Sequence, residues 1–188
     1  MAFISTFEIL LKPQLPKKIT DSRPELSPLA RNILQGYFLT IANVTNELVF
    51  LSLIVTTRTP GLDPKKILTV LDTTGVNGPV SSDFDSIDPK GEIKKSRFTF
   101  PLNANDTGLF ILQPDATNKD LVKDANFELR GYVEISISSL SGPQTTKLLI
   151  TPEHRGTFFG TDEAGLGEIA YVLPLANGKS LFELGKNS

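Results

Sequence analysis

The chain contains no cysteine and no tryptophan, and only one histidine and one methionine among its 188 residues. Without cysteine there are no disulfides, no thiolate metal sites and no cysteine nucleophiles. That absence suits a reducing cytosol and is equally compatible with export. A single histidine, His154, cannot build the multi-histidine metal centres that many β-rich enzymes use. With no tryptophan, and only Tyr37, Tyr132 and Tyr171 as polar aromatics, few platforms remain for stacking a sugar ring. Long hydrophobic runs are also missing: no stretch approaches the roughly 20 apolar residues a membrane helix requires. The first residues lack a basic region, and Glu8 interrupts what would be the apolar core of a signal peptide, so a soluble cytoplasmic protein is expected.

Charge of one sign is not in excess. Nineteen basic and 21 acidic residues give a formal charge of −2, and the basic residues are scattered. The densest basic run, Lys94, Lys95 and Arg97, leads directly into Phe98-Thr99-Phe100 and reads as a solvated strand edge rather than a phosphate-binding patch. Nucleic acid is therefore not an expected partner, since its recognition needs a broad positive footprint. An apolar content of 39% with balanced charge is that of a chain that folds, and the length suits one domain over residues 1–188.

What is present is period-two alternation, the mark of strands with one face in a core. Residues 129 to 138 place Leu129, Gly131, Val133, Ile135 and Ile137 on one side, with Arg130, Tyr132, Glu134, Ser136 and Ser138 on the other. Residues 48 to 58 repeat the pattern with Val49, Leu51, Leu53, Val55 and Thr57, while Phe50 and Ile54 on the opposite side suggest a strand partly covered on both faces. The stretch 37 to 45 is strand-like, and Asn46-Glu47 before the next strand suggests a tight hairpin. Further strands are expected at 3–11, 67–71, 97–102, 109–112, 147–151, 156–159 and 169–175. Many end at proline or glycine, among them Pro13, Pro101, Pro114, Pro152, Gly160 and Pro174, which suits short antiparallel strands.

Helical signals are few. Ser27, Pro28 and Gly36 fit the cap, first turn and stop of a helix over 27–36, and a turn of helix is expected around 119–124. Residues 12–28 read as a Pro-rich extended connection. Long loops are expected at 57–66, 72–95 and 160–168. The expected fold is all-β: an antiparallel β-sandwich, Greek-key or immunoglobulin-like, of about eight to ten strands with at most one or two short helices.

Three constellations carry chemistry worth locating. Glu153-His154-Arg155 is the richest candidate binding patch, although the commoner reading of such a stretch has Glu153 and Arg155 facing solvent or pairing locally while His154 tops a strand or sits at an interface. No Gly-x-Ser-x-Gly sequence supplies a nucleophile for a serine triad through His154. Asp83, Asp85 and Asp88 form a candidate calcium loop, since hard cations collect carboxylate oxygens. That loop departs from the EF-hand pattern, with Ile87 at the fifth position, Asp88 in place of glycine at the sixth and Lys94 where the bidentate glutamate belongs. Gly160, Gly165 and Gly167, with Thr161-Asp162-Glu163 between them, lack the Gly-Lys-Ser/Thr of a phosphate loop. The sequons Asn43-Val44-Thr45 and Asn105-Asp106-Thr107 carry little weight without a secretion signal.

No catalytic motif and no cofactor signature emerges. The functional expectation is a non-catalytic interaction module that meets a protein partner or a second copy of itself through sheet edges or end loops. Apolar residues on nominally outer faces, Phe50, Ile54, Tyr132 and Val172, motivate it. Those residues could instead lie under the 12–28 segment. The rival expectation is a calcium-dependent carbohydrate-binding protein or a hydrolase using loop carboxylates.

Overall fold

Alternation of buried and exposed residues runs through nearly every strand of the computed structural model, which describes residues 1–57, 61–160 and 167–186. Among these residues are β1 (Ala2–Pro13), β2 (Asn32–Asn43), β3 (Val49–Thr57), β4 (Ile67–Asp72), β5 (Gly78–Pro79) and β6 (Phe84–Ile87). There follow β7 (Ile93–Leu102), β8 (Thr107–Pro114), β9 (Phe127–Ile137), β10 (Thr145–Phe159), β11 (Gly167–Val172) and β12 (Leu181–Gly185). Two short helices accompany them, α1 (Lys17–Ser22) and α2 (Lys119–Asp124), with a 3-10 turn at Pro24–Leu29. The expected loop at 160–168 falls largely on residues 161–166, including Thr161-Asp162-Glu163 and Gly165, and so lies outside the described residues, as do residues 58–60 of the loop expected at 57–66.

The chain is all-β, a curled antiparallel sheet resembling a half-barrel. One half runs β5-β4-β8-β2-β10, with β12 and β11 in succession along the far side of β10. The other half runs β1-β9-β3-β7-β6. β1 joins them: residues 2–11 pair with β9, while Leu10–Pro13 also pair with the start of β2. The halves curl over one shared core. Phe98 of β7 meets Phe110 of β8 at 5.2 Å between ring centroids, and Phe7 of β1 meets Tyr37 of β2 at 5.5 Å. Aromatic pairs of this kind add about 0.5–1.5 kcal/mol beyond the area they bury.

Small residues mark where the core leaves no room. Gly131 shares the inward face of β9 with Leu129 and Val133, and a Cβ there would lie 2.1 Å from the Thr56 carbonyl oxygen and 2.7 Å from Phe7 Cζ. The Phe7 ring occupies the space a side chain would need.

Several expectations are corrected. The helix over 27–36 is not formed. Its first residues make the 3-10 turn, and from Asn32 the chain is strand β2, with Ile33, Gln35, Tyr37, Leu39, Ile41 and Asn43 buried in alternation. The 46–47 hairpin is absent, because β2 pairs with β1, β8 and β10 whereas β3 pairs with β7 and β9; the connection crosses between the two halves. The expected strands 147–151 and 156–159 are one strand, β10, running through Pro152. Ile150 N–H donates to Ser180 O, and Pro152 O accepts from Leu173 N, so the main-chain groups of this face point to the flank where β12 ends and β11 begins. Proline's missing donor therefore costs the β2 ladder nothing. The 12–28 segment carries α1 rather than remaining extended.

Candidate functional site

The seam where β1 leaves β2 brings buried Ser5, Gln35, Tyr37 and His154 together. At Glu8 both main-chain groups point away from β9, but β2 pairing begins only at Leu10, so these groups have no strand opposite them. Side chains stand in for the missing strand. Glu8 N–H donates to His154 Nε2 at 3.1 Å, and Gln35 Nε2 donates to Glu8 O at 3.1 Å. Further along, Ala176 N–H donates to Ile4 O at 2.7 Å. An unpaired buried main-chain group costs about 1–3 kcal/mol, so these three contacts close the joint between the halves.

His154 is 4% exposed and faces inward, in phase with Leu148, Ile150 and Pro152. Its Nδ1 lies 2.9 Å from Tyr171 Oη. Because Nε2 accepts a hydrogen bond, it carries no proton, and the neutral ring must hold its proton on Nδ1 and donate it to Tyr171. Burial holds the imidazole below its ordinary pKa, and the nearby Glu8 charge only partly offsets this. Tyr37 packs edge-on to the ring at 6.4 Å and shares a 3.0 Å hydrogen bond with Ser5 Oγ. Burial drives the Tyr37 phenol far above its usual range, so it remains protonated.

The patch expected at Glu153-His154-Arg155 is thus divided by the strand. Glu153 and Arg155 lie on the opposite face from His154 and pair with each other, Arg155 Nε and Nη2 reaching Glu153 Oε2 at 3.0 and 2.6 Å. The Arg155 guanidinium also stacks on Phe38, 4.8 Å from the ring centroid, beside an open groove lined by Gly36, Gln113 and Ile169. His154 does not reach that groove. Both of its ring nitrogens are engaged, and Ser5, the serine of this seam, bonds to Tyr37 instead.

The acidic loop places Asp83, Asp85 and Asp88 around β6, each with its own partner. Asp83 Oδ2 accepts from Thr99 Oγ1 at 2.8 Å and Arg97 Nε at 3.1 Å. Burial acts to raise its carboxyl pKa, but the Thr99 and Arg97 hydrogen bonds outweigh it and hold the group below the usual carboxylate range. Asp85 accepts from Ser82 Oγ at 2.8 Å. Asp88 Oδ1 closes a turn by accepting from Lys90 N–H and Glu92 N–H, which lowers its pKa. Among the described residues no group of three or more histidine or carboxylate side chains is arranged to hold a metal ion.

The outer face of the β1-β9-β3-β7-β6 half is a second feature. Cross-strand register puts Phe84, Arg97, Ile54, Glu134 and Phe3 in one row across five strands. Phe3 and Phe84 at its ends are 58% and 56% exposed, and Phe3 leans on Tyr132 at 5.7 Å. Glu134 in the row is only 7% exposed. Of the apolar residues expected on outer faces, Phe50, Ile54 and Tyr132 are half-buried and Val172, on β11 of the other half, is exposed, while helix α1 buries none of its own residues.

Sequence reasoning missed Glu8, Gln35 and Tyr171. Gln35 carried a signal: a polar residue in phase with Ile33, Tyr37 and Leu39 must find a partner inside. Among the described residues, no helix is long and apolar enough to cross a membrane. No known protein family, no curated protein and no solved structure matches the chain.

Proposed function

We propose that the chain is a non-catalytic interaction module that associates with a second copy of itself through the outer face of the β1-β9-β3-β7-β6 half. The observation that carries this reading is the row ending in Phe3 and Phe84, each more than half exposed. Exposed apolar groups on a sheet face mark contact surfaces, and large aromatics anchor them. Charges of both signs surround the row: Lys12 pairs with Glu128, Arg130 with Glu8, and Arg97 with Asp83. A mixed face can meet its own copy about a two-fold axis without like-charge conflict.

In architecture the reading is a sandwich with Greek-key connections, supported by the crossing from β2 to β3 and by the core shared between the halves. The order β5-β4-β8-β2-β10 fits an immunoglobulin arrangement of four strands against three less well. A cytoplasmic location remains part of the same proposal. The rival reading as a calcium-dependent carbohydrate binder or hydrolase draws no support from the acidic loop, whose three carboxylates are already held by protein donors.

Sedimentation velocity over a wide concentration range tests the association. The wild-type mass is expected to rise with concentration, and the Phe3→Ser, Phe84→Ser double variant to remain monomeric, with a melting temperature close to that of dilute, unassociated wild-type protein. A wild-type chain that stays monomeric throughout overturns the proposal.

A further inference from the structure

We propose that His154 is an acid-released pin: in its neutral form it fastens β1 and the edge strand β11 to β10, and protonation at Nε2 opens that seam. The geometry is specific about which proton matters. Nε2 faces a main-chain donor, the Glu8 N–H at 3.1 Å, and Nδ1 faces Tyr171 Oη at 2.9 Å. Only the tautomer protonated on Nδ1 satisfies both contacts. A proton added to Nε2 sets donor against donor, so the Glu8 bond is lost and an imidazolium is left 4% exposed.

The position of the ring turns this local loss into a structural event. Glu8 lies just before β1 gains its β2 partner at Leu10, and no neighbouring strand takes over its N–H. Tyr171 lies opposite His154 on β11, which among the described residues pairs only with β10. Protonation leaves the Nδ1–H to Tyr171 bond formed, but an imidazolium that leaves its buried site for water gives up that contact too. Release therefore loosens both β11, an edge strand among the described residues, and the segment of β1 that has only β9 as a strand partner. Such regions open below the global unfolding free energy.

Among the described residues, the charged groups on the elements packed against the ring are held by partners of their own, and the phenols stay neutral. From β1, the Glu8 carboxylate is held by Arg130 Nε at 2.6 Å, and Arg130 also pairs with Glu128, which Lys12 contacts in turn. From β2 comes the Tyr37 phenol and from β11 the Tyr171 phenol, both pushed upward and so neutral. On β10 itself, Glu153 and Arg155 pair with each other on the opposite face. The depressed imidazole pKa agrees with this geometry and sets the sign. The unfolded chain takes up a proton near the ordinary value of about 6.5 while the folded chain resists, so stability is full above that value and falls as pH drops below it. Asp83, Asp88 and Glu128, all held below their usual carboxylate range, act at lower pH.

One histidine in the chain makes the test unambiguous. Untagged protein carrying 15N-labelled histidine is followed by long-range proton–nitrogen correlation from about pH 8 to about pH 5. The expected result is a bare Nε2 and a protonated Nδ1 at the alkaline end, with a midpoint below the ordinary value. Over the same range, hydrogen exchange, corrected for intrinsic rates, should show the opening constant of the Glu8 amide and of β11 amides rising about tenfold per pH unit within the window. In His154→Gln the amide oxygen accepts from Glu8 N–H but takes no proton, and this rise should vanish. A proton on Nε2 at the alkaline end, a midpoint at or above the ordinary value, or an equal acid response in His154→Gln overturns the proposal. If that variant does not fold, the wild-type tautomer and midpoint still decide.

Discussion

At the end of β2 a single buried amide holds three stretches of chain together. Asn43 is 1% exposed; its Nδ2 donates to Glu47 O at 2.8 Å and Asn103 O at 2.9 Å, and its Oδ1 accepts from Thr45 N–H at 3.1 Å and Thr45 Oγ1 at 2.6 Å. It thus shapes the crossing from β2 to β3 and ties it to the β7–β8 connection. Replacing Asn43 with alanine strands these carbonyls and the Thr45 amide near the core, each worth about 1–3 kcal/mol where water cannot reach. The expected loss is at least about 2 kcal/mol by urea unfolding, with the slope unchanged. In the sequence the same residue stood out only as the asparagine of a sequon, because the carbonyls its Nδ2 binds lie four and sixty residues away. Burial of its amide also leaves that sequon without a free acceptor in the folded chain. His154 was misjudged for a related reason: ending a strand at Pro152 broke the phase that would have placed it inward with Leu148 and Ile150.

At the scale of elements, alternation recovered β1, β3 and β9 nearly to their ends because their core faces are mostly apolar. It recovered β7 only from Arg97, since buried Ser96 interrupts its apolar set and residues 93–95 fall in the expected 72–95 loop. It recovered faces and not neighbours. Nothing in 43–49 says that β2 and β3 belong to different halves, because a short loop serves a hairpin and a crossing alike. β12 escaped because only Phe182 and Leu184 of its five residues point inward. β5 and β6 lie inside the expected 72–95 loop for the same reason, being edge strands of two and four residues. The N-terminal connection shows the converse. Helix α1 forms on local terms, with a Lys17–Asp21 pair at 2.8 Å one turn apart, yet buries nothing, and Ile19 is 40% exposed. Ile19→Ser is therefore expected to change global stability by less than about 0.5 kcal/mol in thermal unfolding. A loss several times larger would mean that α1 covers the core.

For the molecule as a whole, what matters is whether the two halves are one cooperative unit. Among the described residues the halves share strand pairing only between β1 and β2, over Leu10–Pro13, so the ladder hydrogen bonds alone would allow the halves to melt separately. The core argues otherwise. A single cluster of buried side chains draws on Phe7, Leu53 and Phe98 from one half and on Tyr37, Phe110 and Ile150 from the other. Removing Phe98 withdraws the ring that meets Phe110, and a Phe→Ala change in a packed core costs about 3–5 kcal/mol. If the halves are coupled, that loss must destabilise both equally. The tyrosines report on each, since Tyr37 and Tyr171 belong to one half and Tyr132 to the other, with no tryptophan to mask them. Urea unfolding of Phe98→Ala followed by near-ultraviolet and far-ultraviolet circular dichroism should give coincident transitions, both displaced to lower urea. Two separated transitions, with only the one reported by Tyr132 displaced, would show that the seam through His154, Gln35 and Ala176 joins two independently folding sheets instead of closing one core.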